Sequence, residues 1–137
     1  MTRDPVGEEL ADAARTLLGT PFRAGGRCAR RGVDCVGLVA LSLSAIGRDV
    51  APLPCYNLRR STIASLLPFV RAAGLDQVTG PHMVGDMLLL CPSAAQYHLA
   101  ICSGDSIIIH AHAGLRRVVA GALPAHWPIA RVWRLAS

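Results

Sequence analysis

The spacing of apolar residues changes once along this chain, near Gly74. Before that glycine, apolar residues recur at helical intervals, as at Leu10, Ala14 and Leu17. After it, they fall into short runs separated by Pro, Gly or other turn-forming residues, which is typical of strands. Helices followed by a meander of strands predict an α+β fold, with N-terminal helices packed on one face of an antiparallel sheet.

Three helices are predicted in the N-terminal half. The first is capped by Asp4 and ends at Gly19. The second covers residues 35–46 and is apolar on nearly every side, as expected for a buried central helix. The third covers residues 61–73 and is predicted to be interrupted near Pro68, because proline breaks a helical hydrogen bond.

Five strands are predicted in the C-terminal half, over residues 86–91, 97–103, 106–112, 115–119 and 129–133. Two stretches have no periodic pattern and are predicted to be irregular. Residues 20–33 are rich in Gly and Arg, and residues 48–60 contain prolines.

Length and composition indicate a single domain covering residues 1–137. Apolar residues make up 52% of the chain and charged residues 17%, which excludes a disordered chain. No apolar run has the length of a membrane span, and the N-terminus lacks the apolar stretch of a secretory signal. We therefore expect synthesis in the cytoplasm, with another device carrying the protein to any external substrate. Five cysteines, an odd number, favour free thiols in a reducing compartment.

The net charge of +5 comes mostly from arginine, and Arg23, Arg27, Arg30 and Arg31 cluster just before Cys35. A basic face of this kind can meet an anionic polymer, but a solvated charged loop is the favoured interpretation. The chain has only two Phe, two Tyr and two Trp, too few for a base-stacking platform. Nucleic acid is therefore not expected as a partner.

Cys35 differs from the other cysteines in its position. It follows Asp34, the predicted N-cap, and so lies in the first turn of the second helix. A helix N-terminus stabilises a thiolate, and its N–H groups can donate to a developing oxyanion. Gly37, two residues later, allows another backbone to approach closely. Cys35 is therefore a candidate nucleophile, and a buried structural cysteine is the equally weighted alternative.

Three histidines fall in the two strands of one predicted hairpin. His98 is separated from His110 and from His112 by even numbers of residues. If the connecting loop has three or five residues, or contains a bulge, all three side chains point to the same face of the sheet. A strict two-residue turn at Gly104 and Asp105 would instead place His98 on the other face. A shared site therefore requires the longer loop or the bulge.

On a shared face, His98 can take the Cys35 proton and later return it to a leaving amine. A second histidine, His110 or His112, can hold the tautomer of His98. A zinc site formed by the same four residues is the rival interpretation. Their spacing matches no short zinc motif and the chain has no CxxC pair, so no metal or other cofactor is expected.

Four segments in the same order resemble the NlpC-type cell-wall cysteine peptidases, a bacterial branch of the papain-like fold. They are GTPF at residues 19–22 with Gly25 and Gly26, DCVGLV at 34–39, VGDML at 84–88, and HLAI at 98–101 followed by IHA at 109–111. The likeness covers residues 17–111, which is most of the chain.

This resemblance implies that Cys35 is the nucleophile, His98 the base and His110 the orienting third member. It implies substrate-binding positions at Phe22, Asp34, Gly37 and His112. The implied activity is hydrolysis of peptidoglycan stem peptides, at the bond between γ-D-glutamate and a diamino acid.

The chain departs from the family pattern at two positions. Phe22 stands where the family has Tyr, and Ala24 stands where a Trp or similar residue is common. Losing one oxyanion donor can lower a rate by about 10²–10³, so weak activity or an altered substrate is left open.

A catalytic core without a secretion signal or a wall-binding repeat is similar to the short phage-derived cell-wall peptidases that are encoded with tail genes, including those of gene transfer agents. We therefore expect assembly into a phage-like particle, with tail-tip or hub proteins as partners. Two other functions stay open: a structural tail component without useful activity, and a thiol acyltransferase or amidase of the same fold.

Overall fold

The structure, a computed structural model, describes residues 5–48 and 64–136. Its helices are α1 (Pro5–Arg15), α2 (Cys35–Ala45) and α3 (Leu66–Ala72). Its strands are β1 (Arg27–Cys28), β2 (Gly32–Val33), β3 (Leu75–Val78), β4 (Met87–Ser93), β5 (Gln96–Gly104), β6 (Ile107–His112), β7 (Arg117–Ala122) and β8 (Ile129–Leu135). None of the helices in these two ranges is long and apolar enough to cross a membrane.

One antiparallel sheet holds six of these strands in the order β3-β8-β4-β5-β6-β7, while β1 and β2 form a separate hairpin. Helices α1 and α2 pack on each other, and both contact β5. The main core lies between these helices and the sheet, where Leu10, Leu38 and Leu99 are fully buried. Leu88 and Ile108 belong to a second, smaller cluster. The predicted α+β fold, with helices packed on an antiparallel sheet, is confirmed.

The helices agree with the sequence predictions except at some ends. Helix α2 has Asp34 as its N-cap, as predicted. Helix α1 ends at Arg15 rather than at Gly19, because residues 16–19 continue as turns. The predicted interruption of α3 is wrong. Pro68 lies in the first turn of α3, where its missing N–H removes no helical hydrogen bond.

The strand predictions are confirmed for four of the five segments within one or two residues at each end. The remaining prediction, residues 115–119, overlaps β7 but begins two residues too early and ends three too early, because residues 113–116 form a turn in which Arg116 has φ +60. Strand β3 and the β1–β2 hairpin were not predicted, since each of these strands has four residues or fewer. The proposed cap Asp4 and residues 49–63 lie outside the described residues.

The turn before β4 joins helix α1 to the sheet. Asp86 is only 1% exposed, and its carboxylate accepts hydrogen bonds from Nε and Nη2 of Arg134, each at 2.8 Å. It also accepts from the Met83 N–H at 2.7 Å. Gly85 has φ +89, and a Cβ there would lie 2.0 Å from the carbonyl oxygen of Gly7 in α1. The positive φ and the close approach to α1 therefore require glycine at position 85. The adjacent buried carboxylate of Asp86 has Arg134 as its counter-ion.

Replacing Arg134 with Met is expected to lower the free energy of unfolding by about 3 kcal/mol, because it leaves the buried Asp86 carboxylate without its counter-ion. The check is urea denaturation of the Arg134→Met and Asp86→Asn variants and of the double variant. We expect the double variant to lose clearly less than the sum of the two single losses. Strictly additive losses would contradict a coupled buried pair.

Candidate active site

The carboxylate of Asp34 organises the N-terminus of α2. Its Oδ1 accepts hydrogen bonds from the Gly37 N–H at 2.8 Å and from Nη1 of Arg27 at 2.7 Å. Its Oδ2 accepts from the Gly25 N–H at 2.9 Å. The predicted cap is therefore present. One of the clustered arginines, Arg27, is engaged with this cap rather than solvated.

Two glycines allow the preceding loop to lie directly against α2. A Cβ at Gly37 would lie 2.1 Å from the carbonyl oxygen of Gly26, and a Cβ at Gly26 would lie 2.3 Å from that of Gly32. The close backbone approach predicted at Gly37 is thus confirmed. Gly37 is buried against this loop and is not among the residues that line the cavity described below, so its position supports a packing role.

Cys35 begins α2 and is partly buried. Burial raises the pKa of its thiol to about 11, and the Asp34 carboxylate also raises it. The backbone N–H groups of Leu99 and Val36 and the charge of Arg27 act in the opposite direction. Burial therefore outweighs the stabilisation of a thiolate that the helix N-terminus was expected to supply, and the thiol is neutral near pH 7.

His98 and His110 are hydrogen-bonded across the β5–β6 hairpin, with Nε2 of His98 2.9 Å from Nδ1 of His110. The hairpin register shifts between Cys102 and Gly104. This irregularity confirms the predicted bulge, which keeps the histidines on one face. Burial, with a smaller contribution from neighbouring histidines, lowers the pKa of His98 to about 3 and that of His110 to about 4.

These pKa values leave both rings neutral near pH 7, so one of the two facing nitrogens must carry a proton. If Nε2 of His98 donates, His110 accepts through Nδ1 and carries its own proton on Nε2. Nδ1 of His98 then keeps a lone pair that can receive another proton. This is the tautomer that a general base requires.

His112, at the end of β6, is held by the turn that follows it. Its Nδ1 accepts a hydrogen bond from the Leu115 N–H at 3.0 Å, which places its ring proton on Nε2. A Cβ at Gly114 would lie 3.0 Å from Cε1 of the ring, so the turn packs closely on the imidazole. The His112 and His110 ring centroids are 5.4 Å apart. His112 is therefore an oriented Nε2–H donor.

A cavity of about 260 Å³ brings these groups together. Cys35, His98, His110, His112, Asp34 and Phe22 all line it. Every predicted site residue except Gly37 thus contributes to one cavity, while their chemical roles stay predictions. Among the described residues, no group of three His, Cys, Asp or Glu side chains is arranged to hold a metal ion.

Gln96, Tyr97 and Trp127 are among the residues of the cavity wall that the sequence analysis missed. The Trp127 ring stands edge-on to His98 at 5.6 Å and to His110 at 5.8 Å between centroids. It shields the pair from water and so contributes to the burial that keeps both rings neutral. The sequence did hold one signal for Trp127: it is one of only two tryptophans in the chain, and it lies between predicted strands, close to Pro124 and Pro128.

No protein-family model matches the sequence, and a search of curated proteins finds no match. Solved structures do match. NlpC2 from Trichomonas vaginalis is 15% identical with a TM-score of 0.71, covering 98% of this chain and 50% of its own. The NlpC/p60 domain of peptidoglycan hydrolase SagA is 24% identical with a TM-score of 0.67, covering 94% and 98%.

A third similar structure is the peptidoglycan hydrolase RipB from Mycobacterium tuberculosis, which is 19% identical with a TM-score of 0.67, covering 96% of this chain and 65% of its own. The chain therefore spans half of NlpC2 and nearly all of the SagA domain. At these identities the likeness establishes the fold, which is the papain-like α+β fold of NlpC/p60 structures.

We expect the free energy of unfolding to fall as the pH is lowered from about 6.5 to about 4. The unfolded chain has ordinary histidine pKa values near 6.5, whereas the pKa values of His98 and His110 are lower in the folded protein. The unfolded chain therefore binds more protons in this pH range, which favours unfolding. The measurement is urea denaturation at several pH values.

Two histidine variants separate this effect from other acid-sensitive groups. His110→Asn should flatten the slope of unfolding free energy against pH, whereas His126→Asn, at an exposed position, should leave it unchanged. If the slope of unfolding free energy against pH is the same in wild type and in His110→Asn, the pH dependence does not come from the buried histidine pair.

Proposed function

We propose that this protein is a cysteine peptidase of the NlpC/p60 family that hydrolyses peptide bonds in peptidoglycan. The observation that carries the proposal is the shared cavity, in which a cysteine at a helix N-terminus meets a hydrogen-bonded histidine pair. The fold shared with structures described as peptidoglycan hydrolases supports the substrate class.

In the proposed reaction, Nδ1 of His98 takes the thiol proton while the sulfur of Cys35 attacks the carbonyl carbon of the scissile bond. Both groups are neutral at rest, so proton transfer accompanies attack rather than preceding it. The imidazolium that forms is stabilised because its Nε2–H donates to the neutral His110. His98 then protonates the leaving amine, and the C–N bond breaks to give a thioester on Cys35.

Hydrolysis of the thioester completes the cycle. His98 removes a proton from a water molecule, the resulting hydroxide attacks the thioester carbonyl, and the C–S bond breaks to release the carboxylic acid and the thiolate of Cys35. The same imidazole returns its proton to the sulfur. No cofactor enters either half of this reaction.

The oxyanion formed in each half needs hydrogen-bond donors. The first backbone N–H groups of α2 are at the correct end of a helix for this purpose. Phe22 lines the cavity but has no hydroxyl to donate. We assign the oriented Nε2–H of His112 to substrate binding, as a donor in the cavity wall, with Phe22 as an apolar contact and Asp34 as the support of the helix.

The finer assignment is cleavage between γ-D-glutamate and a diamino acid of the stem peptide, by an enzyme made in the cytoplasm and carried in a phage-like tail tip. The ordered NlpC-type motifs support the bond type. The tail setting rests on the resemblance to tail-associated cell-wall peptidases. The second candidate is an inactive tail component, and the observation that favours it is Phe22, which leaves this position of the cavity wall without the family's tyrosine hydroxyl.

The Cys35→Ala variant is expected to lose at least about 10³-fold in kcat/KM on stem-peptide fragments, because the nucleophile is absent. Products are identified by mass after incubation with the purified protein. The matched control is Cys28→Ala, which removes an exposed thiol outside the cavity and should leave kcat/KM unchanged.

Cleavage of the substrate is the necessary readout, since thiol alkylation would report on Cys28 first. Cys28 is exposed, and the backbone N–H groups of Arg31 and Arg30 lower its pKa. Intact substrate after incubation with wild type would favour the inactive tail component. Transfer of the acyl group to an added amine in preference to water would indicate an acyltransferase.

Phe22→Tyr is expected to raise kcat by about tenfold, because it restores part of an oxyanion interaction whose loss can cost about 10²–10³. Steady-state kinetics on the same fragments provide the check, with Phe22→Leu as a control that changes the apolar contact without adding a donor. An unchanged or lower kcat in Phe22→Tyr would show that the cavity does not use a phenol at this position.

A further inference from the structure

The hairpin that carries the histidine pair contains one irregularity. Ile101 pairs with Ile109 and Cys102 with Ile108, but the next pair is Gly104 with Ile107. Between these pairs β5 advances by two residues while β6 advances by one. Ser103 is the residue at this position. Because side chains alternate between faces, this irregularity decides whether His98 shares a face with His110 and His112.

A side chain from helix α1 holds the irregular position. Nη2 of Arg15 donates to the Ser103 carbonyl oxygen at 2.9 Å, and Nε of Arg15 donates to the Ser103 hydroxyl at 3.2 Å. A bulge interrupts the regular ladder of the two strands, and a guanidinium offers two donors in a fixed geometry that can bind such a site. Arg15 and Ser103 are 88 residues apart in sequence.

The same contact links the two halves of the cavity. Helix α1 packs on α2, which begins with Cys35, and α1 also contacts β5, which carries His98. Arg15 therefore connects the helical layer that carries the thiol to the strand that carries the imidazole.

We propose that Arg15 is a positioning residue, which fixes the β5–β6 register through Ser103 and thereby holds His98 on the same face as His110. This deepens the proposed function, on which it rests, because the residues positioned are the proposed base and its partner. Arg15 does not touch the cavity itself. Its effect reaches the reaction only through the geometry of the histidine pair.

The test uses Arg15→Met, which removes both donors, and Arg15→Lys, which keeps the charge but cannot bind both Ser103 oxygens in the same way. The control is Asp12→Asn, which removes the acidic partner of Arg15 on α1 and leaves the bonds to Ser103 intact. The first readout is the NMR signal of the His98–His110 ring proton in ¹⁵N-histidine-labelled protein. The second is kcat and KM on stem-peptide fragments.

In Arg15→Met we expect the ring-proton signal to broaden or lose more than half its intensity, with kcat about tenfold lower and KM changed less than twofold. Arg15→Lys should fall between Arg15→Met and wild type, and Asp12→Asn should match wild type. If Arg15→Met does not fold, Ser103→Ala removes only the hydroxyl contact and should weaken the same signal to a smaller degree.

An Arg15→Met protein with a lower melting temperature but an unchanged ring-proton signal and kcat would overturn the proposal, since Arg15 would then serve stability alone. If Arg15→Met does not fold, an unchanged signal in both Arg15→Lys and Ser103→Ala would overturn the proposal in the same way. The NMR readout needs no substrate. The two proposals can therefore fail separately. A wild type that cleaves no stem peptide would end the peptidase proposal, whereas loss of the ring-proton signal in Arg15→Met would still support the positioning role.

Discussion

The hydrogen bonds of one carboxylate determine where the thiol sits. Asp34 caps α2 through Gly37, binds the loop through Gly25 and neutralises Arg27 with the same two oxygen atoms. Because Cys35 is the next residue, every displacement of this carboxylate would move the sulfur. The close backbone contact between Gly26 and Gly37 gives the helix end a second restraint that does not involve charge.

Burial has opposite consequences for the two groups that the proposed chemistry uses. It raises the pKa of Cys35 and lowers the pKa of His98, so each is driven toward its neutral form. A site of this kind differs from one that stores a thiolate–imidazolium pair before substrate arrives. In the proposed reaction, charge separates only when the sulfur attacks, and a neutral His110 rather than a carboxylate would receive the hydrogen bond of the imidazolium.

Sequence reasoning succeeded where the physical cause is local. The Asp34 cap and the first-turn position of Cys35 depend on neighbouring residues, so their patterns could be recognised. For the hairpin, the sequence left two geometries open, a longer loop or a bulge. The contact at the bulge comes from Arg15 in a distant helix, which binds Ser103, and a local sequence pattern does not reveal it.

Other features were out of reach for related reasons. Trp127 reaches the histidines through tertiary packing, and strand β3 has four residues that pair with the C-terminal strand β8. The neutral state of Cys35 depends on burial, which a sequence pattern does not reveal. Family resemblance supplied the choice of His110 over His112, and the hydrogen bond to His98 is consistent with that choice.

The central claim is that the sulfur of Cys35 and the ring of His98 are neighbours in one cavity. The direct measurement is the NMR spectrum of the histidine rings before and after methylthiolation, in wild type and in a Cys35→Ala control that accounts for the other thiols. The account predicts that the His98 ring signals shift only when Cys35 is present and modified, while His82, outside the cavity lining, is unaffected. His98 signals that are identical with and without a modified Cys35 would contradict it.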